Sequence, residues 1–486
     1  MTPIKGWLPD ADPTMPGMLT DCQRVMGTVA GYAGAPAPIK SPVNPLTSPV
    51  RGAVVATQLN GNRRIFAGTQ TNLYQLTTAV WNDVSKSGGY VGSSESRWSL
   101  AQFGDTTLAS NLADPMQQIT GGASLFADVP TAPKAKIIVT NANNFVLAFY
   151  TNEATYGVAP DRWWCCAQNN QTDWVPNVST GANTGRLIAA EGAITAAMVL
   201  GDYVVAYKTS AIFVGTFVGS PIGFQWNKMP GGPAGAVGQE AVCDIGGAHF
   251  IVGESNFWIF DGTRPIPIGV GETRDWFYFN SSPSWRYRTQ ATFDQQHNLV
   301  RVCYASVASR GELDRVITYN VLTKQWGRDD AVVETSLNYI EPGTTINGMD
   351  NFALTINALP NIPVDSPFWL AGGRVSSYFD STHQLVSLNG TTTDSFIVTG
   401  DLGDDDGVTM IDRFRVRYSQ APTTANATGQ TKFSSGDRLV PGPINAINDG
   451  KFDLRQTARW HRVRVDMTGG HVETAFDVKP ILTGQR

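Results

Sequence analysis

A loose hairpin repeat constrains this chain more than any other feature. An apolar strand runs into a small or polar turn, and a second strand then opens on an aromatic or aliphatic pair. Ile65-Phe66-Ala67-Gly68 is followed by Leu73-Tyr74, Val204-Val205-Ala206-Tyr207 by Ile212-Phe213, and Phe250-Ile251-Val252-Gly253 by Trp258-Ile259-Phe260. Phe368-Trp369-Leu370-Ala371-Gly372 precedes Tyr378-Phe379-Asp380 in the same way. Each copy reads as a β-hairpin. Degenerate copies lie between them: Leu108-Ala109-Ser110-Asn111 after Phe103-Gly104-Asp105, Phe145 to Phe149 before Trp163-Trp164, and Leu299 to Tyr304 before Val316 to Tyr319. Copies begin about 40–65 residues apart, close to the length of a four-stranded propeller blade. Trp81, Trp174, Trp226 and Trp326 close several units, as outer strands packing on the next blade would.

The fold class expected is therefore all-β: an irregular β-propeller of six or seven blades over residues 56–384. A pair of sandwiches is the alternative that the same pattern allows. The 49 Gly and 28 Pro suit many short strands joined by tight turns, since Gly supplies positive φ and Pro presets turn geometry. One short helix is expected near Arg274 to Phe279.

Residues 1–55 read differently. Pro9, Pro13, Pro16, Pro36, Pro38, Pro42, Pro45 and Pro49 fix their own φ and push the residue before each towards extended geometry, so an extended N-terminal arm is expected. Trp7, Leu8, Leu19 and Tyr32 are candidate anchors for such an arm, because a purely solvating tail has no use for them.

Residues 385–486 change character again and suggest a C-terminal β-sandwich-like domain. Ile411 to Tyr418 and Trp460 to Asp466 alternate strictly. Arg413, Arg415 and Arg417 share one face of the first strand, and Arg462 and Arg464 one face of the second. These arginines could line a channel for DNA, grip acidic groups on a partner, or simply face solvent.

The search for chemistry finds no catalytic signature. The five histidines lack metal-type spacing, and the acidic run Asp401 to Gly407 fails the calcium-loop register: with Gly407 sixth, Leu402 is first and Arg413 twelfth. The glycine-rich Gly231 to Gly238 is followed by Gln239 rather than Lys, so it is not a phosphate loop. There is no GxSxG elbow and no sialidase-type aspartate box. No catalytic, cofactor-binding or metal residue is expected, and the chain is read as non-enzymatic. Carboxylates paired across a propeller mouth leave glycan hydrolysis as a minor alternative.

Charged residues make up 16% of the chain, against a typical share of about 25%, which favours surfaces covered by partners. The formal charge of −5 argues against a broad grip on nucleic acid. The five cysteines, an odd number, suggest reduced and mostly buried thiols made in a cytoplasm. No apolar run approaches the ~20 residues that cross a bilayer, so no membrane insertion is expected. The N-terminus has no basic start followed by an apolar core, so a secretory signal is not expected either.

Three pieces together resemble the tail hub or nozzle proteins of short-tailed bacteriophages. They are the opening Leu8 to Cys22, continuing to Gly31-Tyr32-Ala33-Gly34-Ala35-Pro36; the segments Phe250 to Gly253, Ile259 to Gly262 and Tyr319 to Trp326; and the ending Ala458 to Val465, running to Arg486. The resemblance implies a homo-oligomer, a hexameric ring in the virion tail below portal-adaptor proteins. Such a ring forms part of the tube through which DNA is retained and ejected, and gives tail fibres or spikes a docking surface. The alternative reading is a receptor- or glycan-binding propeller of a virion or a bacterial surface.

Overall fold

The repeated hairpin turns out to be the middle of a four-stranded blade. Arg63–Gly68 pairs with Leu73–Thr77, Tyr203–Lys208 with Ile212–Gly219, and His249–Val252 with Phe257–Phe260. In each case one antiparallel strand precedes the hairpin and another follows it. The computed structural model describes residues 1–77, 80–340 and 374–485. The apolar run read at Phe368 to Gly372 lies outside these residues; its second half falls on the strand Arg374–Phe379.

The first strand of each blade lies innermost. Gly52–Thr57, Ser99–Phe103, Lys134–Thr140, Ile194–Leu200, Val242–Asp244, Gln290–Asp294 and Thr335–Ile340 each lie beside the next, and the last lies beside the first. The ring is closed. Six blades are separate four-stranded sheets, while the sixth in chain order, starting at Gln290, opens into a larger sheet.

Apolar faces between neighbouring blades supply the core. Ala56 and Phe66 of the first blade meet Trp98, Ala109 and Ile119 of the second. Phe145 and Phe149 of the third meet Val204, Phe213 and Phe224 of the fourth. Leu337 and Phe379 of the last blade meet Ile65 and Ala67 of the first, which seals the circle. Full burial of each large apolar side chain contributes about 1.5–3 kcal/mol, so the seams hold the ring together. Trp81 and Trp226 lie on outermost strands as expected, and Trp326 on the fourth strand of the sixth blade, beyond which that sheet continues, whereas Trp174 is buried in the loop after Gly157–Cys165.

The N-terminal segment is where the sequence reading needs correction. Residues 1–55 do not project as an extended arm but supply strands to their own chain. Ala37–Lys40 is the outermost strand of the last blade, with Val386 opposite Lys40 and Leu388 opposite Pro38. Val25–Thr28 continues the sixth blade, through Arg328 opposite Val25, and pairs onward with Gly31–Gly34. That strand joins Val472–Gln485, which pairs with Gly407–Gln420, which in turn pairs with Phe452–Ala458. A single ten-stranded sheet thus runs from the sixth blade into the C-terminal domain. The first blade begins at Gly52 and the last ends at Gly390, so both boundaries placed at 55/56 and 384/385 shift by a few residues.

The second sheet of the C-terminal sandwich holds Met18–Gln23, Asp394–Thr399, Trp460–Thr468, Thr424–Lys432 and Val440–Ala446 in that order. Strict alternation along Gly407–Gln420 and Trp460–Thr468 sends Phe414, Val416, Val463 and Val465 into the space between the sheets. Leu19 and Cys22 of the N-terminal segment complete this core, which is continuous with the seam between the fifth and sixth blades.

The helix expected near Arg274 spans Arg274–Asn280. Its first turn receives a cap from far along the chain: the Asp10 carboxylate accepts the backbone N–H groups of Asp275 and Trp276, both at 2.7 Å. Trp7 packs edge-on against Trp276 at 4.8 Å between ring centroids.

Candidate functional site

The five arginines of the two stripes do not form one surface. Arg413, Arg415 and Arg417 lie on the outer face of one sandwich sheet, and Arg462 and Arg464 on the outer face of the other, with the apolar core between them. Carboxylates of the same chain meet them. Arg413 Nε lies 3.2 Å from Asp453 and Arg417 Nη2 lies 3.0 Å from Asp477, while Arg415 stands opposite Asp477 in the sheet register. Arg464 pairs with Asp466 at 2.7 Å and stacks over Phe396 with its guanidinium 3.7 Å from the ring centroid. Arg462 and Lys432 both reach Asp401 at 2.8 Å, and the Asp401 side chain is only 2% exposed.

The candidate arm anchors are inside the molecule. Trp7, Leu19 and Tyr32 are fully buried, and Leu8 is half-buried with its N–H donating to the Leu19 carbonyl at 3.1 Å. They pack the junction of blades and sandwich, because the strands on which they sit pair within the chain instead of reaching a neighbour.

The feature that the sequence reading missed is at one end of the central channel. Charged residues stand near the start of six of the seven inner strands, Arg51, Arg97, Lys136, Glu240, Arg288 and Glu334, Lys136 being the third residue of its strand, while the fourth blade supplies Thr195. Seven-fold closure brings them together around a cavity of about 510 Å³. A charge near the start of six of the seven inner strands was the signal available in the sequence. It was hidden because each copy supplies only one or two residues.

Ion pairs order most of these groups. Arg97 binds Glu240 at 2.6 Å and the Glu334 carbonyl at 3.1 Å. Arg288 binds Glu95, whose carboxylate also accepts the Tyr287 hydroxyl at 2.7 Å. Burial works against the charged form of Glu95, but these two donors outweigh it and hold the carboxyl below its ordinary range. Glu334 accepts the backbone N–H of Val50 at 2.9 Å and lies 2.7 Å from Nδ1 of His383.

Two cations remain outside this network. The Arg51 side chain has no ion-pair or hydrogen-bond partner among the described residues, and its Nε is sealed from solvent without an acceptor. Burial pulls its pKa down and the neighbouring Arg97 and Arg288 add to that, while the charges of Glu334 and Glu95 oppose it. Lys136 likewise has its pKa lowered by burial; its ammonium lies 5.5 Å from the ring centroid of Tyr150. The arrangement is a polar cavity lined by four cationic and four carboxylate side chains, in which Glu95, Glu240 and Glu334 are engaged while Arg51 and Lys136 form no ion pair. Among the described residues no group of three His, Cys, Asp or Glu side chains is placed to hold a metal ion.

No protein-family model matches the chain, and no curated protein matches it. Among solved structures it is similar to YCF48 bound to a D1 peptide, at 12% identity and a TM-score of 0.37, over 73% of this chain and 95% of that one. It is also similar to YCF48 from Cyanidioschyzon merolae, at 11% identity and a TM-score of 0.40, over 73% and 99% of the two chains. A computationally designed protein, Ika8, matches at 8% identity and a TM-score of 0.34, over 71% and 98%.

Proposed function

We propose that this chain is a structural, non-catalytic subunit of the tail of a short-tailed bacteriophage. Several copies, six in the reading implied by the resemblance, form a ring around the path of the genome. Portal-adaptor proteins lie above it, and fibres or spikes lie alongside.

The observation that carries an assembly role is the edge hairpin of the sandwich. Val440–Ala446 ends its sheet with almost every residue exposed, so neither of its faces is covered by its own chain. Val440 and Ile444 are 62% and 73% exposed, and Phe433 and Ile447 beside them are also bare. Pro441 and Pro443 on the same strand lack N–H donors, which discourages uncontrolled strand addition at this edge and leaves the side chains to make the contact. An apolar edge guarded in this way suits a defined partner surface better than a solvated one. The formal charge of −5 supports the tube reading, since a net acidic lining holds passing DNA weakly.

Protein mass spectrometry and antibody labelling of purified particles test the location. The chain is expected at the tail vertex in a few copies per particle. Its absence from particles, with the protein found only in the lysate, overturns the proposal.

A further inference from the structure

We infer that the channel mouth is a binding site for a small organic anion. Arg51 and Lys136 would hold its oxyanion.

The argument starts from groups left unsatisfied. A buried donor without an acceptor is costly, and a buried cation without a counter-charge more so. At the mouth the half-buried Arg51 side chain has a sealed Nε and no hydrogen bond or ion pair among the described residues, only the attraction of Glu334 and Glu95 from beyond ion-pair distance, and Lys136 has only an aromatic ring beside it. Arg97 contributes a second sealed Nε on the same cavity wall. The carboxylates that might pair with them are engaged by other donors: Glu240 by Arg97, Glu95 by Arg288 and Tyr287, and Glu334 by the Val50 N–H and the His383 ring. Glu312 lies at the exposed rim. A guanidinium with free N–H groups is matched by the paired oxygens of a carboxylate or phosphate.

One further observation bears on the rest of the ligand. The cavity, about 510 Å³, falls in the range of small-molecule sites and exceeds what a bare inorganic anion fills. An oxyanion carried on a sugar-sized body fits both the unpaired cations and the volume. This inference is independent of the assembly reading, since the mouth is formed within one chain.

Isothermal titration of the full chain at low ionic strength tests it, with D-glucuronate as the carboxylate probe, glucose 6-phosphate as the phosphate probe and glucose as the neutral control. At least one anion is expected to bind saturably at one per chain, the stronger arm identifying the oxyanion, while glucose gives no binding. Arg51→Met and Lys136→Met are each expected to weaken binding by about tenfold or more, the loss of one charge-assisted contact. Should Arg51→Met fail to fold, Lys136→Met decides alone. No saturable binding of either anion, or affinity unchanged in the folded variants, overturns the inference.

Discussion

The Tyr32 hydroxyl donates to the Trp326 carbonyl at 2.5 Å and accepts the Trp7 N–H at 2.8 Å, so one phenol pins the N-terminal segment to the outer strand of the sixth blade. All three residues are buried. Tyr32→Phe keeps the ring but leaves two buried backbone groups unpaired, and is expected to cost about 1–3 kcal/mol in urea unfolding. A stability unchanged within error would mean that the junction does not depend on this bridge.

Deleting residues 1–40 tests the same relationship on a larger scale. It removes Ala37–Lys40 from the last blade, exposing the edge of Leu385–Gly390, and takes Trp7, Leu19 and Tyr32 out of the core. Each lost side chain is worth about 1.5–3 kcal/mol against a typical net stability of about 5–15 kcal/mol. The truncated chain is expected to be insoluble or to melt well below the full one by circular dichroism. An unshifted melt would restore the picture of a separable arm.

The arginine stripes divide by burial. Asp401→Ala strands Lys432 and Arg462 beside a nearly buried site and is expected to cost about 3–5 kcal/mol. Arg413→Ser and Arg417→Ser remove half-exposed surface pairs and should each cost under about 1 kcal/mol. Chemical denaturation of the three variants under one condition compares them directly.

His249 sets an acid sensitivity. Its ring lies 2.6 Å from the Tyr207 hydroxyl and 3.0 Å from the Val199 carbonyl, joining the fifth blade to the fourth, and burial lowers its pKa below the ordinary value of 6.5. The folded state therefore favours the neutral ring. Its contribution is fully present above about pH 6.5 and is lost progressively as the pH falls towards the folded value. His249→Gln should flatten that part of the stability profile, measured by melting temperature between pH 7.5 and 5. A parallel slope in both proteins would assign the acid loss to other groups.

What the sequence made legible was local. The hairpins, the alternation of Ile411 to Tyr418 and the helix after Glu272 each depend on neighbours a few residues away, and each is present. The arm was misread because its pairings are distant: Val25 opposite Arg328, Lys40 opposite Val386, Asp10 on the helix at Asp275. Prolines correctly indicated extended backbone there but could not say which edge it would fill. The arginine faces were visible by period, while their partners Asp401, Asp453 and Asp477 come from other strands or loops and were not. The channel mouth is the extreme case, since its charges reach one cavity only when the ring closes.

The mass of the purified protein under native conditions, with negative-stain images of the same sample, tests most directly the claim that this chain works as a ring subunit. The account predicts closed rings of several copies, reduced to single chains by Phe433→Ser with Ile444→Ser on the exposed hairpin while the fold is retained. A protein that stays monomeric at every concentration, or rings indifferent to those two substitutions, would contradict it.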